Sequence, residues 1–127
     1  MSNYQTIVPN LLSTSGAGVA ITSTSIGTAQ TIYTAPAYSL ANNTVATRAI
    51  VKDIVINATT SITVYIYFVP SGGSAAASNL FLGAVPVNTG ASFFHWVGTQ
   101  ILPPGMSIQV YASATGGNIF ISGGEAT

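Results

Sequence analysis

The stretch "SITVYIYFVPSGGSAAASNLFLG", residues 61–83, decides the fold class. Ile62, Val64, Ile66 and Phe68 alternate with Thr63, Tyr65, Tyr67 and Val69. A period of two predicts a strand over 62–69. Both of its faces are apolar, with Thr63 the only polar side chain. A small domain usually buries one face of a strand and wets the other. The second face therefore needs a cover, either the partner sheet of a sandwich or another copy of the chain. Beyond Pro70 the chain turns through small residues, 70–78, and a new apolar run opens at 79–87.

Working outward, strand patterns recur at short spacing. They are predicted over 19–22, 28–35, 45–58, 91–98, 107–113 and 118–122, in addition to 62–69 and 79–87. The breaks between them carry Gly, Pro, Asn and Ser in turn combinations: "SIG" 25–27, "LANN" 40–43, "ATTS" 58–61, "NTG" 88–90, "LPPG" 102–105 and "TGG" 115–117. No stretch sustains a helical period. The chain is predicted to be all-β, an antiparallel β-sandwich, jelly-roll-like, of about eight strands. Residues 1–17 read as a flexible N-terminal arm, with Pro9 breaking any ladder, and 18–127 as the sandwich domain.

Composition narrows the function. The 127 residues hold 48% hydrophobic and 3% charged side chains, with two cations and two anions; globular chains usually carry about 25% charged residues. Arg48 and Lys52 cannot make the basic footprint that nucleic acid or an anionic membrane surface requires. No nucleic acid or membrane partner is expected. The longest apolar run, Ile62 to Pro70, is short of the ~20 residues of a membrane helix. "MSNYQTIVPN" lacks a basic start and a long apolar stretch, so no secretory signal is expected. With no cysteine, disulfides and thiolate metal sites are excluded. Near-zero net charge favours association, which suits a subunit of a permanent assembly.

Candidate chemistry is sparse. Asp53 and Glu125 are the only side-chain carboxylates and His95 the only histidine. A glycosidase needs two carboxylates flanking a sugar, but Glu125 sits near the C-terminus. Asp53 and Lys52, adjacent on one strand, are expected on opposite faces. His95, in "ASFFHWVG", is expected as a polar strand residue satisfied at an edge or interface; copies of it round a symmetry axis are the one way it would hold a metal. "PSGGS" and "TGGN" lack the lysine and helix of a phosphate loop and read as turns. No enzyme activity and no cofactor are expected. The aromatics Tyr65, Tyr67, Phe81, Phe93, Phe94 and Trp96 suit a subunit interface better than a sugar site.

Three stretches occur in one order: "QTIYTAPA" (30–37), "ATRAIVKDIVINATTSITVYIYFVPSGGSAAASNLFLGAVPV" (46–87) and "ILPPGMSIQVYASATGGNIFISGGE" (101–125). Together they resemble the "Y-T-x-P-A", "V-x-I-Y-x-V-P-x-G-G" and "L-P-x-G-x-x-I-x-x-x-A" blocks of small bacteriophage virion structural proteins. These are capsid decoration (cement) proteins and related tail-associated β-domains. The likeness covers roughly residues 30–125, and the chain departs from it at Tyr38 and in its scarcity of charge. It implies a homo-oligomer, a trimer, that binds the major capsid protein on the outer capsid surface of a virion and stabilises capsomer junctions. The alternative it leaves is a tail or fibre module binding a host surface glycan; a self-assembling cellular protein is a further one. The residues expected at a subunit or capsid interface are Tyr65, Tyr67, Phe93 and Trp96, with Tyr4 and Ile7 on the arm.

Overall fold

The computed structural model describes residues 10–11, 18–37, 48–89 and 93–126. They form two antiparallel sheets packed face to face. In chain order the strands are β1 (Asn10–Leu11), β2 (Val19–Ile21), β3 (Gln30–Thr34), β4 (Arg48–Ala58), β5 (Ile62–Val69), β6 (Leu80–Val87), β7 (Phe94–Leu102), β8 (Ser107–Ala112) and β9 (Gly117–Ala126). Sheet A runs β1-β9-β4-β7 and sheet B runs β3-β8-β5-β6. β1 and β2 pair one after the other along β9, at Ser122–Gly123 and at Gly117–Ile119, and so share one edge position. Counted that way, the sheets read 1-8-3-6 and 2-7-4-5, the strand order of a jelly roll. The predicted fold class is found. Asn10–Leu11 lie inside the stretch expected as an arm and are paired to β9; the rest of 1–17, Gly18 excepted as beyond it, lies outside the described residues.

The alternation in the sequence builds the core. Ile62, Val64, Ile66 and Phe68 of β5 meet Ile54 and Ile56 of β4, Ile108 and Val110 of β8, and Ile119 and Ile121 of β9. Toward the β7 side, Phe68 stacks on Phe81 with ring centroids 4.1 Å apart, and Phe81 meets Trp96 edge-on at 5.2 Å. This run of rings joins the two sheets. At the opposite side Gln30 stitches them: its Oε1 accepts from the Thr22 amide at 2.9 Å and its Nε2 donates to the Ala20 carbonyl at 2.9 Å. The side-chain amide thus takes the place of a strand neighbour for the end of β2.

The second face of β5 is not covered by the partner sheet, and side chains and loops of its own chain cover part of it. The partner sheet meets only the Ile62 face. On the other, Tyr111 of β8 lies between the two tyrosines of β5, with ring centroids 4.6 Å from Tyr65 and 6.0 Å from Tyr67. Val69 sits under the turn at 70–73, where Gly73 donates to the Pro70 carbonyl at 2.9 Å. The short 3-10 turn Ala77–Asn79 packs on β5 as well. Asn79 holds that loop closed, accepting from the Ala76 amide and donating to the Ser74 carbonyl, each at 3.0 Å.

The loops of the three sequence blocks meet at one corner. The Ala35 amide donates to the Met106 carbonyl at 2.8 Å, and the Gly105 amide to the Ala35 carbonyl at 3.1 Å. Gly105 has φ 78 and leaves room for Ser71, whose Oγ lies 2.7 Å from where a Cβ would stand. Those motifs are thus corner pieces of the sandwich.

Two expectations are corrected. Lys52 and Asp53 do not face opposite sides. The register of β4 shifts between Val51 and Asp53 against both β7 and β9, and this bulge turns both side chains outward. The last strand is also longer than 118–122, running on through Gly123 and Gly124. A Cβ on Gly123 would stand 1.8 Å from the Ile50 carbonyl oxygen, so glycine there lets β4 and β9 approach closely.

Candidate functional site

Charge is divided between the sheets. Arg48, Lys52 and Asp53 lie on β4, Glu125 on β9 and His95 on β7, all in sheet A. The strands of sheet B hold no Asp, Glu, Lys, Arg or His. Each outer face therefore has its own chemistry.

The outer face of sheet A is an apolar stripe set with paired polar groups. Along β7 and the residue before it, exposed and half-buried positions alternate without a break. Phe93 is 61% exposed, Val97 67% and Ile101 54%, and these are three of the five large apolar side chains exposed among the described residues. Between them stand His95 and Thr99. His95 Nε2 donates to Asp53 Oδ1 at 2.5 Å, and Lys52 Nζ donates to Thr99 Oγ1 at 2.7 Å. Both contacts are open to water, where a polar pair contributes little to folding. The bulge at Lys52–Asp53 is what brings both to this face. Among the described residues β7 pairs with β4 alone, and none of them pairs with the backbone donors and acceptors of its other edge.

The outer face of sheet B is uncharged and tyrosine-rich. Tyr65 and Tyr111 are half-buried and Tyr67 is 3% exposed. Burial pushes the Tyr67 phenol up to about 12, with its hydrogen bond to Tyr111 and the neighbouring phenols adding to it. Gln109, Thr31 and Thr63 surround the stack. On the inner side, the Tyr33 hydroxyl donates to Glu125 Oε2. Burial, then that hydrogen bond and the carboxylate charge, raise the Tyr33 phenol well above its ordinary value.

The expected interface residues separate into different places. Tyr65 and Tyr67 are on the sheet B face, and Tyr67 is occupied by its own chain. Phe93 is on the sheet A face. Trp96 points inward, half-buried against Phe81 at the open side of the sandwich. Tyr4 and Ile7 lie outside the described residues. The structure adds Val97 and Ile101, which continue the Phe93 stripe. Their signal was the unbroken alternation F-x-H-x-V-x-T-x-I over 93–101; taking Gly98 as the strand's end cut it short. It also adds Tyr111 and the Asp53–His95 contact, which spans two strands 42 positions apart.

Among the described residues no three His, Cys, Asp or Glu side chains cluster, and no helix is long and apolar enough to cross a membrane. No family model matches the chain, and no curated protein matches it. Among solved structures, it is similar to a structure of the infectious bursal disease virus Gx strain, with a TM-score of 0.42 and 11% identity. That likeness covers 98% of this chain and 32% of the other, so the chain spans about a third of its length.

Proposed function

We propose that the chain is a non-catalytic structural protein of a bacteriophage virion. In this reading it is a capsid decoration (cement) protein on the outer surface of an icosahedral head. It acts as a homo-oligomer that touches several copies of the major capsid protein at once and holds capsomer junctions together. The observation that carries the reading is the exposed apolar stripe Phe93, Val97 and Ile101 on an open edge strand, in a chain with 3% charged residues. Such a surface suits permanent burial against other subunits. Linked modest contacts add as avidity, and low charge leaves little for salt to screen. Jelly rolls recur in viral capsid and lectin domains, and the sequence blocks that resemble phage virion proteins meet at one corner of this one. Tyr4 and Ile7 belong, in the same reading, to a further contact with the shell; deleting residues 2–9 is expected to lower occupancy on heads.

The test is the copy number of the chain per purified particle, measured by quantitative mass spectrometry against the major shell protein. A simple fraction of the shell copy number is the expected result. Absence from particles would remove the virion reading. A handful of copies would favour the tail or fibre alternative, whose supporting observation is the uncharged Tyr65–Tyr111–Tyr67 stack. That alternative predicts binding of a neutral glycan on an array, lost in Tyr65→Ala.

A further inference from the structure

The stripe along β7 is a palindrome in chemistry. Phe93, His95, Val97, Thr99 and Ile101 read apolar, polar, apolar, polar, apolar in either direction, with Val97 at the centre. All five point to the outer face of sheet A. Among the described residues the strand lies at the sheet edge, and none of them pairs with the backbone groups of its outer side. A two-fold interface requires such self-complementarity, because one patch must fit itself after rotation.

We infer that β7 pairs antiparallel with β7 of a second copy across a two-fold axis at Val97, making one continuous sheet from two copies of sheet A. In this register Val97 faces Val97 of the second copy. Phe93 faces Ile101 of the second copy, and Ile101, beside Ile50 in its own sheet, faces Phe93 of that copy. His95 faces Thr99 of the second copy. The charges then fall into place. His95 carries Asp53 and Thr99 carries Lys52, so the acidic group of each copy lies toward the basic group of the other, twice. The contact covers the half-buried Trp96 and Phe94 at the open side of each sandwich. The pairing with β4 slips at Gly98 and Thr99, two residues of β7 opposite Lys52, but exposure alternates along β7 without a break from 93 to 101, so the outward-facing set keeps its period.

The outer faces of sheet B and the β1–β2 edges stay free in this dimer, so it leaves surfaces for other partners. Two-fold symmetry here replaces the three-fold number that the family resemblance implies. The inference stands apart from the virion reading: a dimer can form whether or not the chain enters particles, and the particle copy number does not bear on it.

A residue on the axis faces only itself, and this gives the experiment. Val97→Lys and Val97→Glu are each made in the full chain and examined by native mass spectrometry, alone and as an equal mixture. Val97 is 67% exposed, so neither change disturbs the core, and far-UV circular dichroism checks that both stay folded. Each variant alone is expected as a monomer, because like charges meet at the axis. The mixture is expected to restore a dimer of mixed composition. Dimers of either variant alone, or a mixture that stays monomeric, would overturn the inference. So would a trimer of the unmodified chain.

Discussion

Ala84 holds an unusual backbone for a residue with a side chain, φ 52 in β6, beside the register shifts between β5 and β6. The left-handed region costs an L-residue about 1–2 kcal/mol, and glycine there is free of that strain, though it loses more entropy on folding. Ala84→Gly is therefore expected to raise stability by about 0.5–1 kcal/mol, read as a higher denaturant midpoint. Tyr67 shows the reverse situation, a residue at ease in the fold whose ionisation is not. Its phenol keeps its proton up to about 12 in the fold, against 10.0 ordinarily. The stability this represents is complete below pH 10 and is lost as pH climbs through 12, because only the unfolded chain gives up the proton readily. Thermal melts between pH 8 and 12 should show a fall of roughly 2 kcal/mol from this group, with Tyr33 adding to it in the same direction. Tyr67→Phe should flatten the alkaline limb. The sequence placed Tyr67 on a strand correctly. It did not reveal that Tyr111 would stack on it, because the two lie far apart along the chain.

Whole strands were the legible part of the sequence, because the period-two pattern is local. The runs 62–69 and 107–113 match β5 and β8 almost to the residue. Register between strands was not legible, since it depends on neighbours far away. The Lys52–Asp53 bulge is the clearest case: alternation alone separates the two residues, and pairing with β7 and β9 puts them together. Gly98 and Gly123 were misread for a related reason. Glycine in a strand signals either an end or a close approach, and only the fold tells which. Trp96 lies over Gly98, its Cζ2 2.8 Å from where a Cβ would stand, and β7 continues past it. At Gly123 the obstacle is the Ile50 backbone, which cannot swing aside. Gly123→Ala is expected to separate β4 from β9 locally and cost roughly 1–3 kcal/mol, in the range of overpacked sites. Hydrogen exchange at the amides of residues 50–54 should rise with it; unchanged protection would contradict the close packing at this crossing.

At the scale of the molecule, the jelly roll uses its few charges on one side. Sheet A carries every charged side chain and, among the described residues, three of the five exposed large apolar ones, while sheet B presents stacked tyrosines and no charge. Composition alone suited a protein that lives in an assembly, and the fold gathers its exposed apolar side chains Phe93, Val97 and Ile101 on one face. What composition could not supply was the separation of Tyr65, Phe93 and Trp96 into three environments, which follows from which strand each occupies and which way it faces. The most direct measurement is the solution mass of the unmodified chain by light scattering, over a range of concentration and from low to high salt. The account predicts twice the 12.9 kDa chain mass, little changed by salt, because apolar contacts at Phe93, Val97 and Ile101 hold the pair and few charges are there to screen. A single-chain mass at every concentration would contradict it.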